Sequence, residues 1–345
     1  MSEAGTRMSA EIAEQPAVFD AVLARRAELA EVAELAAAHR PRFALLAARG
    51  SSDHAALYAK YLIEVLLELP TGLVSPSTTT LYGAQPDLTG ALYVTVSQSG
   101  GSPDLVEATK AARGRGALTV AVTNTPGSAL SAVAEHTVAI GAGEELAVAA
   151  TKTYTATLLT LYLLVDAARG GSGEHAAGLG ELAASTLADT AAGVAAAVER
   201  YREIDRVVTT GRGYSSASAA EAALKLAETS YLGARSYSGA DLLHGPVAAV
   251  DESTGVVAVT SRGRGGEAMR DVLAAVHERG ADVLAVGSAA EDMPASRRIV
   301  LPDTAEEVAP ILEILPLQRL ALELALARGG DPDQPRGLSK VTRTR

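Results

Sequence analysis

One pattern occurs twice in this chain, and that constrains its fold more than anything else. An apolar run ends in a glycine-bearing turn, a helical pattern follows, and a second apolar run ends in another small-residue turn. Gly50 and Gly211 lie 161 positions apart; Ser97 and Ser261, like Gly116 and Gly280, lie 164 apart. Near-constant offsets over this length mark a tandem duplication of one α/β unit. In the first copy the spacing predicts strands over 43–47, 92–96, 118–122 and 137–140. In the second it predicts them over 207–210, 256–260, 282–286 and 299–300. Strands alternating with helices form a parallel sheet covered on both faces. Ligands on such sheets sit beyond the carboxyl ends of the strands, where these turns fall. The expected organisation is an N-terminal helical arm over 1–40, a first unit over 41–173, and a bridging helix over 174–203. A second unit over 204–330 and a tail over 331–345 complete it.

The copies differ chemically at one turn. The first carries Ser97-Gln98-Ser99-Gly100-Gly101-Ser102; the second has Ser261-Arg262-Gly263-Arg264-Gly265-Gly266. In the first, Leu92–Val96 leads in and a helix starting at Pro103 leads out. Ser102 suits an N-cap and Pro103 the first helical position, where its missing N–H costs nothing. Glycines let backbone N–H groups approach a ligand, and a helix N-terminus favours an anion. No Lys or Arg lies in the loop, so an anion there would meet neutral donors. The alternative is an ordinary tight turn. That only one copy is rich in hydroxyls favours the phosphate reading.

A net charge of −11 argues against a nucleic-acid surface, which needs a basic face. The absence of cysteine removes disulfides, thiol nucleophiles and thiolate metal sites together. The six histidines show no metal-ligand spacing, so neither metal nor cofactor is expected. The segment 1–16 lacks a signal-peptide core, and the most apolar helix candidate, 156–165, is too short to span a membrane. The expectation is a cytoplasmic enzyme or binding protein.

Three further constellations could carry chemistry. On the helix predicted over 217–232, Glu221, Lys225 and Glu228 share one face. Spacing alone is equally that of a solvated salt-bridge stripe. His244 precedes Gly245-Pro246 on a stiff turn, where it is either a proton carrier or a turn histidine bonded to backbone. The tail from Asp331 to Thr342 has two prolines and a glycine and places Lys340 between Leu338 and Val341. It reads either as a disordered basic end or as a segment that packs.

Taken jointly, Ser97-Gln98-Ser99-Gly100, Ala223-Leu224-Lys225-Leu226 with Glu228, His244-Gly245-Pro246 and the Asp331–Lys340 tail resemble the sugar isomerase (SIS) domain family. Within it, the chain is most similar to the isomerase half of glutamine–fructose-6-phosphate amidotransferases and to SIS-type glucosamine-6-phosphate deaminases. The resemblance implies two tandem flavodoxin-like α-β-α sandwiches. It implies that Ser52, Ser97, Gln98, Ser99 and Ser102 hold a sugar 6-phosphate, and that Ser51 and Val148 line the sugar. Glu228 matches the base that moves a proton between C1 and C2, with Glu221 and Lys225 as its companions. His244 matches a ring-opening histidine contributed across a homodimer interface, and Lys340 a lysine that meets the open-chain sugar. Asp241 stands where the family commonly has Glu.

Only about 40 residues precede the first strand, without cysteine, so no glutaminase is expected in this chain. The first expectation is therefore a deaminase turning glucosamine 6-phosphate into fructose 6-phosphate and ammonia. The alternatives are an N-acetylglucosamine-6-phosphate dehydratase, another phosphosugar isomerase or deglycase, and a non-catalytic sugar-phosphate sensor.

Overall fold

A computed structural model describes residues 4–340. The chain forms two compact units. The first comprises residues 18–145 and 152–177 with Ser339 and Lys340; the second comprises 4–17, 146–151 and 178–338.

The first unit is built on a five-stranded parallel sheet: β1 (Phe43–Ala47), β2 (Thr71–Leu73), β3 (Ala91–Val96), β4 (Leu118–Thr123) and β5 (His136–Ala139), in the order β2-β1-β3-β4-β5. The strands are near-continuous apolar runs because both faces are covered. In β4 every residue is buried. The helix Lys152–Ala168 is apolar almost all round and is buried along nearly its whole length.

The second unit repeats the plan with β6 (Arg206–Gly211), β7 (Gly233–Ser238), β8 (Thr254–Val259), β9 (Asp282–Gly287) and β10 (Arg297–Val300), in the order β7-β6-β8-β9-β10. Both sheets thus have the doubly wound order 2-1-3-4-5, whose direction reverses between the first and third strands. Loops diverge at that switch point and leave a crevice at the carboxyl edge.

The sequence pattern misses β2 and β7. Both are edge strands. Thr71–Leu73 is three residues around a glycine, and Gly233–Ser238 is Gly-Ala-Arg-Ser-Tyr-Ser, with no apolar run to announce it. Two regions read as single helical stretches are divided. The N-terminal stretch breaks at Arg25, whose guanidinium donates to the carbonyls of Ala139 and Ile140. The Ala-rich stretch after Gly173 is a short 3₁₀ turn and two helices, Leu179–Asp189 and Ala191–Tyr201. They meet at Thr190, whose hydroxyl bonds back to the Thr186 carbonyl at 2.6 Å. The tail is ordered as far as it is described. Asp333 accepts from the N–H groups of Arg7 and Met8, capping the helix Thr6–Ala24, and the Arg336 guanidinium stacks 3.9 Å from the Tyr231 ring. Val341 and Thr342 lie outside the described residues.

Candidate functional site

In the first unit the switch point lies between β1 and β3, which pair in parallel with Ala47 opposite Thr95. Gly50 follows β1 with φ +57°, a conformation that glycine adopts without strain. This turns the chain into the helix Ser51–Leu66. The hydroxyls of Ser51 and Ser52 and their backbone N–H groups, the first two of that helix, make no hydrogen bond. Next door, Ser97–Ser102 follows β3. Its backbone is braced from behind: the Gln98 carbonyl accepts from the Asn124 N–H at 3.0 Å, and the Gly100 carbonyl accepts from the Leu130 N–H at 3.0 Å. Ser97 is buried and its Oγ accepts from the Gly100 N–H. Gly100 has φ +60°, and a Cβ there would sit 2.1 Å from Ser128 Oγ. The loop can therefore be shaped only with glycine at this position.

This bracing leaves several donors without a partner. The N–H groups of Gln98, Ser99 and Ser102, the Gln98 amide and the Ser102 hydroxyl bond to nothing. Ser102 has the extended backbone of an N-cap and Pro103 is the first helical residue, but the Ser102 side chain does not cap the helix. Two loops on adjacent parallel strands thus present free N–H and O–H donors at one switch point. That arrangement suits a tetrahedral oxyanion.

Arg49 was not singled out from the sequence. Its guanidinium pairs at 2.8 Å with Asp104, which is 2% exposed, in the first turn of the helix leaving the loop. A lone arginine at a strand end carries no motif.

Lys340 belongs to the same unit. Its Nζ donates to Glu145 Oε2 at 2.9 Å, and Glu145 is fully buried. Glu145 also accepts from the Thr153 N–H at 3.1 Å and the Thr153 hydroxyl at 2.6 Å, capping the helix Lys152–Ala168. The carboxylate thereby holds the lysine in one place. Glu145, too, was invisible in the sequence, because its partners are set only by the fold.

In the second unit the helix Ser215–Ser230 carries the charged triad. Spacing alone allowed a solvated stripe, and the structure overturns it: the side chains of Glu221 and Lys225 are 0% exposed and that of Glu228 is 23% exposed. The face that carries them packs against other elements, so helical spacing alone could not reveal their burial. Lys225 Nζ lies 3.3 Å from Glu221 Oε1 and 2.5 Å from Glu228 Oε2. Burial pushes the Lys225 ammonium toward neutrality, but the two carboxylates outweigh it and hold the proton on. Glu228 is the one member that reaches solvent.

His244 ends the short helix Gly239–Leu243, is exposed, and makes no side-chain hydrogen bond. The structure does not bring it to the triad by any bond. Asp241 accepts from the Ser238 hydroxyl at 2.7 Å, while Ser238 caps that helix, so the acid locks the turn before the histidine. Val148 is half-buried in the segment 146–151, whose Ala147 N–H is held by Glu11 at 3.2 Å. Among the described residues no cluster of three or more His, Asp or Glu could hold a metal ion, and no helix is long and apolar enough to cross a membrane.

The SIS domain family model matches residues 39–167 and 200–328. The glutamine–fructose-6-phosphate aminotransferase (isomerizing) of Pyrobaculum aerophilum is 37% identical over 316 residues, which cover 86% of this chain and 52% of that protein. The chain spans about half the length of the curated relatives it matches. Among solved structures, the C-terminal domain of the Francisella tularensis glucosamine-fructose-6-phosphate aminotransferase superposes with a TM-score of 0.82 at 26% identity, covering 95% of this chain and 98% of that one. A glucosamine-6-phosphate deaminase from Thermotoga maritima shares the fold, with a TM-score of 0.77 at 24% identity over 98% of this chain and 100% of that one.

Proposed function

The chain belongs to the SIS domain family, and on that premise we propose that it is an amino-sugar-phosphate enzyme that works by removing the C2 proton, converting glucosamine 6-phosphate and water into fructose 6-phosphate and ammonia. The observation that carries the reading is the triad on the helix Ser215–Ser230. A fully buried ammonium between two carboxylates is costly to build, and this one holds Glu228 in place at the exposed end of the triad. Glu228 alone among the three is open to a substrate.

The roles follow from the chemistry. The free donors of Ser51, Ser52, Gln98, Ser99 and Ser102 hold the 6-phosphate, remote from the reacting carbons, so its binding energy serves orientation. Ser97 shapes that loop and Val148 lines the sugar. His244 opens the ring to the C1 aldehyde. Glu228 takes the C2 proton, acidified by the adjacent carbonyl, giving an enolamine, and returns it to C1. The resulting C2 imine takes up water and releases ammonia. Lys225, itself held by Glu221, positions Glu228. Lys340, steered by Glu145, supplies positive charge to the open-chain oxygen. His244, exposed and unbonded, serves the neighbouring subunit of a homodimer.

Purified protein given glucosamine 6-phosphate should release ammonia and fructose 6-phosphate in equal amounts. Turnover without ammonia would overturn the assignment, and an ultraviolet-absorbing unsaturated product from N-acetylglucosamine 6-phosphate would replace it with a dehydratase. Mixing inactive Glu228→Gln and His244→Asn chains should restore part of the activity. No recovery in mixed dimers would place His244 outside a partner's site.

A further inference from the structure

Both helices that start at the switch point of the first unit carry an acid in their first turn: Asp53 in Ser51–Leu66 and Asp104 in Pro103–Gly114. An acid suits a helix start on its own. Beside a phosphate seat it is also a cost, because like charges repel, and Asp104 is 2% exposed, so little water screens it. Burial pushes the Asp53 carboxyl up, and the charges of His54 and Arg49 oppose that shift. The second unit meets no such conflict. There Glu306 closes the start of the corresponding helix, Arg264–His277, by accepting from the N–H groups of Gly265 at 2.7 Å and Arg264 at 3.1 Å.

Arg49 stands between the two acidic helix starts. It immediately precedes Gly50 on the turn after β1, whereas Asp104 belongs to the helix after β3. Its Nε and Nη2 donate to Asp104 Oδ2 at 3.0 and 2.8 Å, and Asp104 Oδ1 accepts from the Leu105 N–H at 2.9 Å. Both oxygens of the buried carboxylate are therefore engaged, and its charge is matched by a cation from the neighbouring loop. Over 49–54 and 97–104 the charged residues are Arg49, Asp53 and Asp104, with His54 beside them. The donors of Ser51, Ser52, Gln98, Ser99 and Ser102 are neutral, so Arg49 decides whether the seat presents one net negative charge or two.

We propose that Arg49 is a positioning residue for the phosphate: by pairing with Asp104 it offsets and fixes a buried negative charge at the seat, so that neutral donors suffice to hold a dianion. Without Arg49 the carboxylate is left uncompensated in the first turn and repels the ligand. The inference rests on the loop being a phosphate seat, and it holds whichever sugar carries the phosphate.

Titration calorimetry with inorganic phosphate and with fructose 6-phosphate tests it on the wild type, Arg49→Ala, Arg49→Lys, Asp104→Asn and the double variant Arg49→Ala with Asp104→Asn, each shown to be folded by circular dichroism. Arg49→Ala should weaken both ligands about fivefold at low salt, and by less at high salt, as a charge effect requires and a loss of packing does not. Adding Asp104→Asn removes the repelling charge and should bring affinity back to within about twofold of the wild type. Arg49→Lys keeps the charge and should lose about twofold at most. If Arg49→Ala does not fold, the double variant carries the test beside Asp104→Asn alone. A folded double variant that still binds about fivefold more weakly than the wild type would make Arg49 a direct ligand of the phosphate and overturn the proposal. Arg49→Ala that loses stability but keeps its affinity would also overturn it, leaving a structural ion pair and an intact seat. A wild type that binds neither ligand would overturn the seat itself.

Discussion

The two switch points are built on the same strand order and have opposite contents. Between β1 and β3, the N–H groups of Gln98, Ser99 and Ser102 and the hydroxyls of Ser51, Ser52 and Ser102 have no partner; between β6 and β8, Glu306 occupies the equivalent seat. The open seat is braced by backbone contacts, with Arg49 paired to Asp104 beside it, whereas the closed one holds a carboxylate. A duplicated fold therefore repeats one strand–turn–helix plan at two switch points, and at one of them the helix start is taken by the chain's own carboxylate. What sets the units apart is side chains added to a shared backbone plan, and each can be altered separately.

The largest effect should come from the unit with the closed seat, because it carries the buried triad. Glu228→Gln keeps the size of the side chain and removes the base, so kcat should fall about a thousandfold with KM little changed. If KM rises and kcat holds, Glu228 is a binding residue and the division of labour between the units fails.

Next in size is a pH effect confined to the second unit. Glu313 is fully buried, donated to by Ser215 at 2.8 Å, and its pKa is pushed up from 4.5 to about 7, by burial first and by Glu306 in addition. The folded state thus keeps a proton that the unfolded chain releases between pH 4.5 and 7. Stability contributed by this group is complete below that window and is lost as pH rises through it. Glu313→Gln cannot ionise and should be stabilised relative to the wild type by about 3 kcal/mol more at pH 8 than at pH 4.5. Urea unfolding at both pH values checks this, and parallel behaviour of the two proteins would place the proton elsewhere.

The open seat should be more sensitive to shape than to charge. In Gly100→Ala the new methyl group collides with Ser128, and φ is positive, so stability should drop by about 2 kcal/mol and phosphosugar affinity by tenfold or more. Gly101→Ala meets only ordinary contacts and should leave both nearly unchanged. Equal losses at the two glycines would mean that the loop tolerates reshaping.

Much of this was legible beforehand, and the reason is local. Apart from the edge strands β2 and β7, which lack an apolar run, the strand, turn and helix signals, the duplicated spacing and the hydroxyl-rich loop are properties of short windows, and each was found. Glu145, Glu306 and Arg49 were not, because each acts on a partner distant in sequence: Lys340 for Glu145, Arg264 for Glu306, Asp104 for Arg49. The burial of Glu221 and Lys225 was hidden for a related reason. Helical spacing says which residues share a face and leaves open which face is covered.

The smallest effects are the sharpest test of the comparison, because they separate holding a ligand from holding a helix. Ser102 sits at an N-cap position without capping, so Ser102→Ala should change stability by no more than about 0.5 kcal/mol while weakening phosphosugar binding several-fold. Glu306 caps the corresponding helix of the second unit through two hydrogen bonds, so Glu306→Ala should cost about 1 kcal/mol of stability. It should leave the affinity of the open seat alone. Thermal unfolding and phosphosugar titration of the two variants give four numbers. If Ser102→Ala destabilises as much as Glu306→Ala, the open loop is a helix cap like any other, and its free donors lose their claim to a ligand.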